Sequence, residues 1–337
     1  MQNLFQNVLC CAALLAVLVV RLPSVPGGEP AVSTALPPIK VGVTSLGAAV
    51  AGGNLYIYGG HTGGAHHYTA DLQSGSLWRL NLAKPTAWEE VSQGPKRTGL
   101  AMVGYKGQLY RIGGWLAKNT EGEKWVLHSQ QDFSRFDPAT SKWTELTPLP
   151  RGRSSHDAAL IGDHLYVAGG WELSGEGDGD WHDTALVCDL SQEKLAWKEV
   201  AKPKFLRRAL AIAGYQGKLY VLGGMTSNNE ISAATSIYDP KSNQWTTGPD
   251  LPGKGMDNFG MSAFGGEDGL FATQASGALL RLSSDGKAWE SVGALKHPRF
   301  FHRLVIADHG RLIAVAGTTK GGKVTETEAI RVSTDTK

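Results

Sequence analysis

The sequence predicts an all-β fold of six repeated four-stranded units, and three observations lead to it. A short apolar run ending in two glycines recurs four times, as LYIYGG at Gly60, LYRIGG at Gly114, LYVAGG at Gly170 and LYVLGG at Gly224. A tryptophan follows each run at a matching interval, as Trp88, Trp143, Trp197 and Trp245. The remaining segments are short apolar or alternating runs bounded by Gly, Pro, Asn and Asp, and none holds a helical period. Gly60, Gly114, Gly170 and Gly224 stand 54, 56 and 54 residues apart, which marks one structural unit per repeat.

The 337 residues, 42% of them hydrophobic, are enough for a large core. A net charge of +2 points to neither nucleic acid nor an anionic membrane surface. Cys10 and Cys11 lie in the apolar run from Val8 to Val20, and Cys188 stands alone beyond it. Stability therefore rests on packing, and Cys188 in ALVCDL reads as a small buried hydrophobe.

Residues 1–30 read as a secretory signal. Their apolar run of 13 residues is shorter than the roughly 20 that span a bilayer, and the Pro/Gly stretch LPSVPGGEPA follows it. The protein is expected to be exported, periplasmic or extracellular, with contact to a membrane only if this segment stays attached as an anchor.

From residue 31 to 337 the units fall at about 42–91, 97–147, 154–200, 207–248, 257–291 and 300–334. Each supplies a small-residue inner strand, the glycine-ended strand, a third strand ending in a turn such as Asp-Pro, and an outer strand around the Trp. The fifth unit carries Thr273-Gln274 at the doublet and keeps Trp289. The sixth carries Ala316-Gly317 and has three strands before the chain ends. A missing fourth strand would leave an open edge. Residues 31–38 look like the tail of an outer strand, so Val32 to Leu36 is expected to pair with Thr325 to Val332 and close the ring.

These doublets, with Tyr56, Tyr110, Tyr166 and Tyr220 before them and the tryptophans after, resemble the kelch repeat family over nearly the whole chain beyond residue 30. The resemblance implies a β-propeller, and the count of units makes it six-bladed. Its outline is similar to that of exported bacterial sialate epimerases. The resemblance carries fold rather than activity, because one fold hosts many functions.

In such a ring the strands hold the structure and the loops bind. Loops entering the inner strands carry Lys40, Arg97, Arg151, Arg153, Arg207, Arg208, Lys254 and Arg299. Converging on one mouth they would attract anions; equally, this basic residue often bonds neighbouring loops in kelch repeats. Loops after the doublets carry His61, His66 and His67, then Trp115, then Trp171, then Asn228 and Asn229. With His302 they suit a polar, flat-faced ligand such as a sugar, although Trp115 and Trp171 serve equally as caps over the blade core.

No cofactor is expected and no metal ligand spacing is present. The acidic run GEGDGDWHD lacks the full spacing of a Ca²⁺ loop. No Gly-x-Ser-x-Gly elbow occurs, and Ser155, His156 and Asp157 are successive residues that a strand turns to opposite faces. The carboxylates nearest the mouth are Asp157 and Asp257, with His156 beside the first. The expected function is a monomeric binding protein for a protein or carbohydrate ligand, anionic or not, on the loop face. The alternative is a sugar epimerase or mutarotase acting on an acidic sugar such as sialic acid. The fifth and sixth units, lacking the doublet, are expected to contribute less to the site.

Overall fold

The computed structural model describes residues 32–332. The expected signal segment lies outside them. Six four-stranded antiparallel sheets form the blades. The innermost strands are Gly47–Ala51, Ala101–Tyr105, Asp157–Ile161, Ala211–Tyr215, Ser262–Gly266 and Arg303–Asp308. Each packs beside the innermost strand of the next blade, and the sixth beside the first. The ring closes as expected: Val32–Leu36 pairs antiparallel with Thr327–Arg331, Val32 opposite Arg331 and Leu36 opposite Thr327. The chain's earliest described strand is thus the outermost strand of blade 6.

The core is divided into six wedges, one between each pair of neighbouring blades. Leu55 and Ile57 of blade 1 pack with Ile313 and Val315 of blade 6 in one wedge, and Leu165 and Val167 of blade 3 with Tyr110 and Phe133 of blade 2 in another. Both faces of every sheet are therefore buried, which is why the second strands read as continuous apolar runs. The tryptophans work across these wedges. Indole N–H groups donate to a carbonyl in or after the outer strand of the preceding blade: Trp88 to Pro37 (2.9 Å), Trp197 to Thr147 (3.1 Å), Trp245 to Ala201 (2.6 Å) and Trp289 to Pro249 (3.2 Å). Trp143 instead packs edge-on to Tyr58 of blade 1 and lies under the Arg111 guanidinium, 4.7 Å away.

The glycine doublets join blade to blade. At Gly59 and Gly60 φ is +67° and +100°, the left-handed region that side chains avoid. A Cβ on Gly59 would lie 2.6 Å from the carbonyl oxygen of Arg97, in the loop entering blade 2. The N–H of Gly60 donates to that same oxygen at 2.8 Å. Gly114, Gly170 and Gly224 donate likewise to Arg153, Arg207 and Asn258. In blade 5, where Thr273 replaces the first glycine, the fit is remade: Thr273 Oγ1 and His302 Nε2 lie 2.6 Å apart. His302 occupies the place held by Leu46, Leu100, His156, Leu210 and Met261 at the other entering loops.

Because consecutive strands are antiparallel, the entering loops and the loops after the doublets share one face, and the tight hairpins at Gly52-Gly53, Gly107 and Gly217 share the other.

Candidate functional site

The loop face is built in three levels. The lowest is the central channel, a cavity of about 380 Å³ lined by the innermost strands. The first residues of those strands are Gly47, Ala101, Asp157, Ala211, Ser262 and Arg303. Arg303 crosses from blade 6 to Asp157 of blade 3, Nη1 to Oδ1 at 2.8 Å, and donates on the way to the carbonyls of Leu46 and Leu100. The other oxygen of Asp157 accepts the N–H of Ile212 at 3.1 Å.

Above that pair lies a closed circle of six backbone hydrogen bonds. Ser45 donates to Phe301, Gly99 to Ser45, Ser155 to Gly99, Ala209 to Ser155, Gly260 to Ala209 and Phe301 to Gly260, at 2.6–3.0 Å. Every member has φ between +51° and +65°. Left-handed geometry turns each N–H sideways toward the neighbouring blade. Four of the six are not glycine, so the circle holds residues in a strained conformation.

The expected cationic mouth is corrected at four positions. Arg97, Arg153, Arg207 and Arg299 are all buried. Arg153 Nη1 donates to the carbonyls of Gly169 and Thr184, and Nη2 to Thr184 Oγ1. Arg207 makes the matching bonds to Gly223, Ala234 and Ser236 Oγ. Arg299 reaches Ala316, Glu326 and the Glu328 carboxylate, and Arg97 pairs with Asp132. Arg153, Arg207 and Arg299 each fasten an entering loop to the ends of the second and third strands of a blade, and Arg97 fastens its loop to the start of the third, the role of bonding neighbouring loops. Burial pulls the Arg153 and Arg207 pKa values down.

The third level is a raised layer made by the loops of blades 1–3. Strands Trp115–Ala117, Leu127–Ser129 and Ser174–Gly175 form a small sheet on the loop face. Gln73 ties the blade 1 loop to it, donating to the Trp115 carbonyl and accepting from the N–H of Ala117. Trp115 is buried beneath Tyr68, rings 5.4 Å apart, so it caps the layer from within. Tyr68 also meets His61 and the exposed Trp125 at 5.3 and 5.0 Å. Trp171 is half-buried and meets Trp181 at 5.9 Å. Arg208 lies over Trp171 at 4.2 Å.

The remaining candidates divide. His66 and His67 are exposed beside this layer. His61 is buried, its Nε2 3.0 Å from the Gly64 carbonyl. Asn228 and Asn229 are exposed at the tip of the short blade 4 loop. Asp257 accepts the backbone N–H groups of Lys254 and Ser276. His156 is buried, and neither ring nitrogen has a protein partner. Burial holds His156 well below the usual histidine range and His302 at about 3. Both are neutral. Among the described residues no three His, Cys, Asp or Glu side chains converge in a metal-binding group.

Sequence reasoning missed Arg303 and Trp125, and gave Tyr68 and Trp181 no role of their own within the loops that hold them. Arg303 follows His302 directly, yet only the ring places it opposite Asp157.

A family model for the KLHDC2/KLHL20/DRC7 Kelch-repeats domain matches residues 28–170, and the Kelch motif model matches residues 206–252. The chain belongs to the kelch repeat family. This kelch chain is 28% identical over 199 residues to Kelch-like protein 35 of Mus musculus, covering 59% of this chain and 29% of that protein. It is 28% identical over 271 residues to N-acetylneuraminate epimerase of Haemophilus influenzae (strain 86-028NP), covering 70% of this chain and 68% of that protein. The chain spans less than a third of the length of the Kelch-like relatives it matches. The solved structure titled "Structure of YjhT" superposes with a TM-score of 0.69 over 88% of this chain and 99% of that chain, at 16% identity. That likeness bears on the fold alone.

Proposed function

We propose that this kelch propeller is an exported binding protein that takes a protein ligand on its loop face. One observation carries the reading. Among the described residues the exposed large apolar side chains are Val41, Trp125, Leu206 and Met256. Val41, Leu206 and Met256 lie in entering loops and Trp125 in the raised layer, so all four share one face. They come from the loops of blades 1, 2, 4 and 5, and large apolar groups left in water on the face that carries the variable loops suit contact with a partner. Three of the four are aliphatic, which suits apolar peptide side chains better than sugar rings. Kelch-like relatives are consistent with a scaffold whose variable loops do the binding. The export half of the reading rests on the apolar run of residues 8–20.

The test is a display selection of random peptides on the purified protein. Selected peptides are expected to lose about tenfold or more in affinity when Leu206 or Met256 becomes Asp, which places a charge in the contact. They are expected to be indifferent to Lys106→Ala on the opposite face. Binders insensitive to every loop-face change would sink the proposal.

A second reading, mutarotation of an acidic sugar, is favoured by the similarity to the Haemophilus influenzae epimerase over 70% of this chain. It needs an acid and a base beside a bound sugar. Asp157 is held by Arg303, and Asp257 by two backbone amides. Anomer exchange of N-acetylneuraminate followed by NMR decides it: exchange no faster with protein than without discards this reading.

A further inference from the structure

We propose that Arg208 anchors a carboxylate of an acidic peptide segment, a Glu or Asp side chain of a protein partner seated on the loop face. This rests on the protein-binding reading above and names the chemistry of its ligand.

Arg207 and Arg208 are adjacent in a short strand that pairs with Met225–Thr226. Neighbours on a strand point to opposite sides. Arg207 turns into the blade, where its terminal nitrogens are bound to Gly223, Ala234 and Ser236. Arg208 therefore turns the other way, into the raised layer. Its guanidinium carbon lies 4.2 Å from the centre of the Trp171 ring and 5.6 Å from that of Trp181. Its polar side-chain contact is to the Met225 thioether sulfur, at 3.2 Å.

Several other cations of this face have carboxylate partners, and Arg153 and Arg207 are bound by carbonyls and hydroxyls. Lys96 has Asp71, Arg97 has Asp132, Arg151 has Glu172 and Asp180, and Lys202 has Asp183. Among the described residues no carboxylate stands within 4.0 Å of Arg208. Half-buried charges are normally paired, because removing a charge from water without a partner is unfavourable. The indole contacts hold the guanidinium in place by cation–π attraction without consuming its N–H donors. An arginine so held is suited to bidentate capture of a carboxylate. Burial lowers its pKa, a penalty on the charged form that an incoming carboxylate would offset.

The neighbourhood favours a peptide. Leu206, exposed two residues before Arg208, offers an apolar contact next to the charge. The Trp171 face is covered by Arg208 itself, so it is not open for a sugar ring to stack on.

The experiment uses the peptides selected on the purified chain, each synthesised with its Glu or Asp and with Gln or Asn in its place. The acidic form is expected to bind about 30-fold more tightly. Arg208→Met keeps the stem that packs on Trp171 and should abolish that preference, while Arg208→Lys should keep part of it. Thermal melts of both variants establish that the fold is intact. Peptides that depend on Leu206 but bind equally as Glu and Gln forms overturn the acidic anchor and leave the loop-face reading standing. So does an Arg208→Met protein that still prefers the acidic form. A library that yields no binder, or only binders insensitive to the loop face, overturns both.

Discussion

Arg303 and Asp157 begin the innermost strands of blades three apart in a ring of six, and their side chains meet at 2.8 Å. Arg303 also touches the carbonyls ending the loops into blades 1 and 2, and Asp157 holds an amide of blade 4. One ion pair thus ties five blades together at the channel end. Both side chains are largely buried. Breaking a buried pair from one side strands the other charge and costs about 3–5 kcal/mol. Asp157→Ala is expected to fall in that range by urea denaturation. Asp157→Leu combined with Arg303→Met is expected to cost less than Asp157→Ala alone, because it strands no charge. A double variant less stable than the single would show that the pair is a net source of stability.

The buried histidines predict acid sensitivity. His156, His182 and His302 are all lowered by desolvation, His182 to about 4 and His302 to about 3. Unfolded, each titrates near 6.5. Below that pH the unfolded chain takes up protons that the folded one refuses. Stability is therefore full above about pH 6.5 and falls as pH drops toward the folded values, by up to about 1.4 kcal/mol per pH unit for each histidine. His156→Leu, the residue found at the matching place in blades 1, 2 and 4, should flatten this slope. Denaturation midpoints measured at pH 7 and pH 4.5 check the sign.

Thr273 and His302 form a coupled exchange. At four other junctions a glycine faces its neighbour, Gly59, Gly169 and Gly223 meeting Leu100, Leu210 and Met261 and Gly113 meeting His156, while blade 6 carries Ala316 at this position. His302→Leu removes the shorter of two hydrogen bonds of a buried hydroxyl, which keeps the Ser262 carbonyl at 3.3 Å, and should cost about 1 kcal/mol. Adding Thr273→Gly restores the pattern of the other junctions and should recover part of that loss. Additive effects in the double-variant cycle would show the two positions to be independent.

Glycines of like φ differ in what surrounds them. Gly59 faces the Arg97 carbonyl, whereas nothing lies within 4 Å of the Cβ position of Gly107. Gly107→Ala should cost about 1–2 kcal/mol, the strain of a left-handed residue alone. Gly59→Ala adds a steric clash with the backbone of the next blade and should cost clearly more. Equal losses in a thermal melt would remove the interblade role assigned to the doublet.

Much of this architecture was legible in the chain. The doublets and tryptophans repeat because each blade meets its neighbour through the same contacts, and Val32 to Leu36 announced itself by its likeness to the other outer-strand tails. The site was less legible. Arg97, Arg153, Arg207 and Arg299 read the same in sequence whether they face solvent or a ring of carbonyls; what decides is the distance to the second and third strands, which a linear pattern does not contain. Arg208 and Arg207 are identical in composition and opposite in role because a strand alternates. Trp125 and Tyr68 belong to loops whose packing against each other depends on blades 1 and 2 being neighbours.

The pairing of Val32 with Arg331 places both described chain ends side by side on the hairpin face. Topologically the polypeptide is then a circle cut at one point, and the cut carries no special geometry. A short linker between the ends, with new termini opened at the unobstructed turn of Gly52 and Gly53, should give a permuted chain with every blade intact. The same placement makes this edge a natural tether. Any domain, dye or surface attached at Val32 or Arg331 would sit behind the ring and leave the loop face turned outward.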